Sequence, residues 1–188
     1  NKLYTISSAG YSNHTPIIPA KKHKHGIYNH KVIKELSRFI LNKIHKNLVN
    51  YNYKKIFLIR KTKKRNLINQ QNLENALRKR GFKIININNL NFYEQVKIFR
   101  NANIIISVVG AINANLIFAK SNVKYFGLVR NINFGDGYYF WPSVVSFKNI
   151  IINFVVGKNI GLFNSTHSSF YIENFKIKKM LEIIEHNY

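Results

Sequence analysis

At 188 residues, with 46% hydrophobic and 14% aromatic residues, the chain carries enough apolar material to bury a core, which excludes an intrinsically disordered segment. The lack of cysteine excludes disulfides, thiolate-bound zinc and thiol catalysis. A formal net charge of +23 ordinarily points to nucleic acid or an anionic surface, but Lys, Asn and Ile abound together as A/T-rich codons produce them, so the arginines are more informative than the lysines.

The chain opens on Asn1 rather than Met, with no readable secretory signal and no apolar run of the ~20 residues that span a bilayer. A cytoplasmic piece of a longer protein is therefore expected. Residues 3–7 read as extended, and Pro16, Pro19 and the basic run 21–25 as loop. Val32, Ile33, Leu36, Phe39, Ile40, Ile44 and Leu48 then recur at spacings of three and four, which predicts a helix over about 30–49.

Short apolar runs next alternate with helical patterns. Strands are predicted at 56–60, 83–87, 104–108 and 123–128, with helices at 70–80, 92–100 and 111–119 between them. After an aromatic stretch at 138–141 come a strand at 150–155, a polar loop through 165–169 and a closing helix at 173–186. The alternation predicts one α/β domain spanning residues 1–188, a parallel sheet flanked by helices with right-handed crossovers.

In such a sheet, ligands bind beyond the carboxyl ends of the strands, where helix N-termini attract anions. Three loops lie at that edge, containing residues 60–69, 90–95 and 108–115. Arg60 ends a buried strand, a place where a charge needs a partner, and Arg65 and Asn69 precede the next helix. Two planar guanidinium groups suit a diphosphate, whereas Lys61, Lys63 and Lys64 read as solvated. Gly110 and Ala111 let a pyrophosphate approach a helix N-terminus, or let strand and helix pack tightly.

Only seven carboxylates exist. Glu35, Glu74, Glu173, Glu182 and Glu185 fall on predicted helices and are expected to be solvated. Glu94 fits either a hydrogen bond to ribose hydroxyls or a carboxylate at a helix N-terminus, and Asp136, in an Asp-Gly pair, reads as a turn residue. His14, His23 and His25 lack matching carboxylates, and no Asp-x-Asp pair stands ready to hold a divalent ion, so no metal site is expected.

The order of these motifs resembles glycosyltransferase family 61, whose members include bacterial capsule-type and plant xylan-type transferases. The resemblance is carried by Arg60, Arg65 and Asn69, then Gly81-Phe82, the block Asn91-Phe92-Tyr93-Glu94-Gln95, the strand from Ala102 to Ile106, and Gly110, Ala111, Asn115 and Phe118. His167-Ser168-Ser169-Phe170 before the last helix extends it, and the chain departs from many members in having Val109 where they have His. The resemblance implies a Rossmann-like domain, the C-terminal half of a two-domain GT-B enzyme, without the N-terminal half that binds acceptor. It also implies inverting sugar transfer from a nucleotide-sugar donor to a glycan acceptor in capsule or surface polysaccharide synthesis. Donor binding would fall to Arg60, Arg65, Asn69, Glu94, Gln95, Gly110, Ala111 and Asn115, with no cofactor or metal and with the anionic inner face of the membrane as a place of association. The catalytic base is not identified. Two rival readings are a basic nucleic-acid-binding α/β module, for which no RRM, KH, helix-turn-helix or finger pattern is present, and an inactive remnant of the transferase fold.

Overall fold

The computed structural model describes residues 29–44, 51–59, 66–131, 144–160 and 168–186. Arg60, Arg65, Asp136, His14, His23, His25, His167, the lysines at 61, 63 and 64, the extended piece at 3–7 and the aromatic stretch at 138–141 lie outside them.

Helix α1 (His30–Lys43) starts where the Asn29 side chain accepts hydrogen bonds from the backbone N–H groups of Lys31 and Val32 at 3.0 and 3.4 Å. It stops earlier than the periodicity predicts, because Ile44 turns to an extended conformation and packs against the core. Then follow β1 (Lys55–Ile59), α2 (Gln70–Arg78), β2 (Lys83–Asn86), a single 3-10 turn (Ile87–Asn89), α3 (Phe92–Asn101) and β3 (Ile104–Val108). A 3-10 helix (Ala111–Phe118), β4 (Lys124–Arg130), β5 (Ile151–Asn159), β6 (Phe170–Tyr171) and α4 (Asn174–Glu185) complete the described chain.

The six strands form one sheet in the order β2-β1-β3-β4-β5-β6, with the first five mutually parallel and β6 antiparallel to β5. Ile33, Leu58, Val96, Phe99, Ile105 and Leu116 belong to the core on one face, built with α1, α3 and the 3-10 helix. Phe57, Leu73, Leu77, Phe126, Phe170 and Leu181 belong to the core on the other, built with α2, β6 and α4. The result is the Rossmann-like α/β architecture, with helices on both faces of a mostly parallel sheet.

Three local expectations change. Residues 111–118 wind as a 3-10 helix rather than an α-helix; Leu116, Ile117 and Phe118 are all buried, and three consecutive core residues do not fit the single apolar stripe of an amphipathic α-helix. Glu74 is not solvated: it is 8% exposed, accepts from Gln70 Nε2 at 2.9 Å and pairs with Arg78 at 3.5 Å. Glu173 precedes α4 instead of lying within it, and it pairs with Lys158 and Lys176, both at 2.7 Å.

At the opposite edge from the strand ends that concern the site, Lys148 Nζ donates to Ala119 O. Burial, followed by the neighbouring Arg100 charge, lowers the Lys148 pKa to about 8. Since the folded value lies below the ordinary lysine value of 10.5, the unfolded chain binds more protons between these limits, and stability rises with pH across that window. Denaturant melts of wild type and Lys148→Met should therefore diverge in favour of wild type between pH 8 and pH 10. Parallel pH profiles for the two proteins would rule this out.

Candidate functional site

The strand order fixes where a ligand crevice forms. From β1 the chain moves outward to β2 through α2 on one face, then returns through α3 on the other to β3, on the far side of β1. The elements that follow β1 and β3, α2 and the 3-10 helix, thus pack on opposite faces, which makes the carboxyl ends of these two strands the switch point at which sheets of this kind bind ligands. Ile59 ends β1 on one side of it, and Val109-Gly110 follows β3 on the other.

The connection after β1 is anchored firmly where it enters α2. Phe170 N donates to Asn66 O at 3.0 Å, Ile68 N donates to Phe170 O at 2.8 Å, and Asn66 N donates to Ser169 Oγ at 3.3 Å. Two motifs a hundred residues apart, the one around Asn69 and the Ser168-Ser169-Phe170 tail, are therefore stitched into one seam. Asn69 completes it: its amide nitrogen donates to Ile172 O at 2.7 Å, and its amide oxygen accepts from Ile172 N at 3.1 Å. Because the side chain is committed there, Asn69 stands at the N-cap of α2 without capping it. The first turn of α2 thus presents backbone N–H groups and the positive end of the helix dipole at the carboxyl edge, immediately after the segment holding Arg60 and Arg65.

On the other flank, the Val109-Gly110 turn rests on a buried polar network. Gly110 N donates to Asn113 Oδ1 at 2.8 Å, and Asn113 Nδ2 donates to the Tyr125 hydroxyl. That hydroxyl also lies 3.0 Å from Ser107 Oγ. Burial pushes the Tyr125 pKa up to about 12, against the smaller opposing effect of its Ser107 and Asn113 hydrogen bonds, so the phenol stays neutral. Gly110 is buried and its N–H is already bonded within this network, whereas Ala111 is exposed at the start of the 3-10 helix. Gly127 in β4 makes room for the turn, since a Cβ there would stand 2.8 Å from Val109 Cγ2.

Glu94 and Gln95 sit in the first turn of α3. One Glu94 oxygen accepts from the N–H of Asn91 at 2.8 Å, completing a capping box in which Asn91 Oδ1 accepts from Glu94 N at 3.0 Å. The other accepts from the Tyr51 hydroxyl at 2.6 Å. The Tyr51 bond, then that of Asn91, holds the Glu94 carboxyl below its ordinary pKa. Gln95 Nε2 donates to Leu90 O at 3.0 Å, and Gln95 Oε1 accepts from Asn115 Nδ2 at 2.9 Å, tying α3 to the 3-10 helix.

The structure therefore brings Glu94, Gln95 and Asn115 together, and separately joins Gly110 to a network that sequence reasoning overlooked. The one legible hint of that network was a hydroxyl within each apolar run, Ser107 in β3 and Tyr125 in β4. All six described carboxylates are engaged: besides Glu74, Glu94 and Glu173, Glu35 pairs with Arg38, Glu185 with Arg80 and Glu182 with Lys178. Among the described residues no three His, Asp or Glu side chains gather as a metal site, and no helix is long and apolar enough to cross a membrane.

A family model described as Glycosyltransferase 61 matches residues 8–126, more than half of the chain and every one of the eight donor-binding candidates. No curated protein matches the chain.

Proposed function

The chain belongs to glycosyltransferase family 61, and from that premise we propose that it supplies the donor-binding half of the enzyme, holding the diphosphate of a nucleotide-sugar in the crevice between β1 and β3. The observation that carries this reading is the uncapped first turn of α2, placed at the carboxyl edge directly after the segment that contains Arg60 and Arg65. Helix dipole and backbone N–H groups attract an anion, and arginine forks grip its oxygens in place of a metal. Both charges favour departure of the nucleoside diphosphate, whose negative charge grows as the sugar is transferred.

Gly110 and Ala111 bound the crevice on the β3 side. Glu94, Gln95 and Asn115 act first on the protein itself, fixing the α3 turn and the 3-10 helix that wall the site; a ligand reaching Glu94 competes with Tyr51 for its carboxylate. Because the described carboxylates already hold ion pairs or a cap, the general base of an inverting transfer comes from elsewhere, in the GT-B scheme from the acceptor-binding partner domain. The acceptor is a glycan, in capsule or surface polysaccharide synthesis at the inner face of the membrane.

Calorimetric titration with UDP and GDP tests the donor site. Arg60→Lys keeps the charge but loses the planar fork, so affinity should fall roughly ten- to hundredfold, the equivalent of about 1.5–3 kcal/mol for one charge-assisted hydrogen bond. The melting temperature without ligand should stay near that of wild type. Equal affinities would remove Arg60 from the site, and a large loss of melting temperature would make it a structural residue.

A further inference from the structure

The five parallel strands all begin at one edge of the sheet, opposite the carboxyl ends where the donor is read to bind. Read across the sheet from β2 to β5, each strand is entered beside a cation. Lys83 opens β2, Lys54 precedes β1, Arg100 lies in the last turn of α3 ahead of β3, Lys120 comes ahead of β4, and Lys148 ahead of β5. Lys54, Lys83, Arg100 and Lys120 are exposed, and Lys148 is half-buried.

Backbone hydrogen bonds hold these entries in one rim. Asn103 N and Ile104 N donate to Lys54 O at 2.7 and 3.0 Å, Lys124 N donates to Asn103 O at 2.9 Å, and Ile151 N donates to Val123 O at 3.0 Å. Lys148 Nζ donates to Ala119 O, next to Lys120. Neighbouring strands lie ~4.8 Å apart, less than the Debye length of ~8 Å at physiological salt, so cations one strand apart act jointly on an anion. Burial and then the Arg100 charge lower the Lys148 pKa, so cations of the rim repel one another and an anionic partner relieves that repulsion. The carboxylates do not offset the rim: Glu94 and Glu173 stand at the starts of α3 and α4, at the other edge, and Glu182 and Glu185 in the last turn of α4 pair with Lys178 and Arg80. Composition sets how many lysines the chain has, but topology decides where they gather.

We propose that this rim docks on an anionic bilayer, with Lys54, Lys83, Arg100, Lys120 and Lys148 against phospholipid headgroups. The inference rests on the reading of a transferase at the inner face of the membrane, and it turns the donor site away from lipid, toward the water that carries nucleotide-sugars. A row of cations roughly 19 Å long suits an extended anionic surface, which attracts each Lys or Arg brought near it. Single-stranded nucleic acid would also need open rings on which to stack its bases. Phe92, Tyr93 and Phe175, exposed in the first turns of α3 and α4, stand at the other edge. Tyr53 and Phe147, beside the rim, already lie under the ammonium groups of Lys83 and Lys148, at 5.4 and 5.5 Å from the ring centroids.

The test sediments the full chain with phosphatidylcholine vesicles that contain either no phosphatidylglycerol or about a third of it. Wild type should bind only the anionic vesicles, and more weakly as salt rises. Lys54→Gln, Lys83→Gln, Arg100→Gln and Lys120→Gln combined should weaken that binding roughly a hundredfold. Lys31→Gln, Lys34→Gln, Lys178→Gln and Lys179→Gln combined, at exposed positions of α1 and α4, should weaken it less than about tenfold. Should melts show that the rim variant fails to fold, the pairs Lys54→Gln with Lys83→Gln and Arg100→Gln with Lys120→Gln decide, each expected to lose roughly tenfold. Equal losses in the rim and helix variants would show attraction by net charge alone and overturn the proposal, as would a folded wild type that ignores anionic vesicles. Single-stranded RNA bound more tightly than the vesicles, and released by the rim changes, would assign the rim to nucleic acid and also overturn it. UDP titration keeps the two readings apart: a wild type that binds vesicles through its rim but not UDP would overturn the donor site alone.

Discussion

Replacing Asn113 with alanine is expected to lower stability by about 2–4 kcal/mol, the sum of an orphaned buried donor and a small cavity. Asn113 is only 1% exposed and serves two partners at once, accepting from Gly110 N and donating to the Tyr125 hydroxyl. Without it, the N–H of a buried glycine has lost its acceptor, and water is not close at hand to replace it. For a chain of this length the melting temperature should drop by roughly 5–15 °C. Asn115→Ala is the informative comparison, since Asn115 is 9% exposed and gives up a single bond, to the half-buried Gln95. Thermal melts in which the Asn115 variant suffers as much as the Asn113 variant would contradict this ranking.

Gly157→Ala should cost about 1–3 kcal/mol or more, as overpacking does where the neighbour is backbone. A Cβ at this position would collide with Tyr171 O, and would stand 2.7 Å from Phe170 Cδ2 and 3.0 Å from the Tyr171 carbonyl carbon. A flexible side chain could move aside, but a carbonyl in the β5–β6 pairing cannot move without opening it. The damage should spread along the seam, because Phe170 also holds Asn66 and Ile68 through backbone hydrogen bonds. Amide exchange at Ile68 and Phe170 should accelerate in the variant well beyond exchange in β1 and β3. Uniform exchange with an unchanged melting temperature would show that the contact is relieved cheaply.

The parallel sheet was legible because its central strands, β1, β3 and β4, are buried on both faces. An apolar run such as Ile104–Val108 between two helical periods has few other readings, and the structure places β3 over the same residues. Strand β6 was not legible, for two residues carry no periodicity and their pairing is set by the distant Asn66–Ile68 segment. The side chains around the site illustrate a different limit. Asn69, Gln95 and Asn115 offer the donors and acceptors that a ribose or a phosphate would use, and the same groups satisfy backbone and side-chain partners within the fold. Spacing cannot distinguish the two uses, because both call for an amide at a turn. Glu74 was read as solvated for a similar reason: its Gln70 and Arg78 partners lie one helical turn away, and its burial depends on packing that no local pattern records.

The central claim is that this chain recognises a nucleoside diphosphate rather than nucleic acid, despite its net charge of +23. Titration of UDP or GDP and of single-stranded RNA, each across a series of salt concentrations, tests it most directly. The account predicts saturable one-to-one binding of a nucleoside diphosphate that weakens only gently with salt, and RNA binding that is weak and collapses steeply as counterions compete. Tight RNA binding with no measurable affinity for either nucleotide would contradict it.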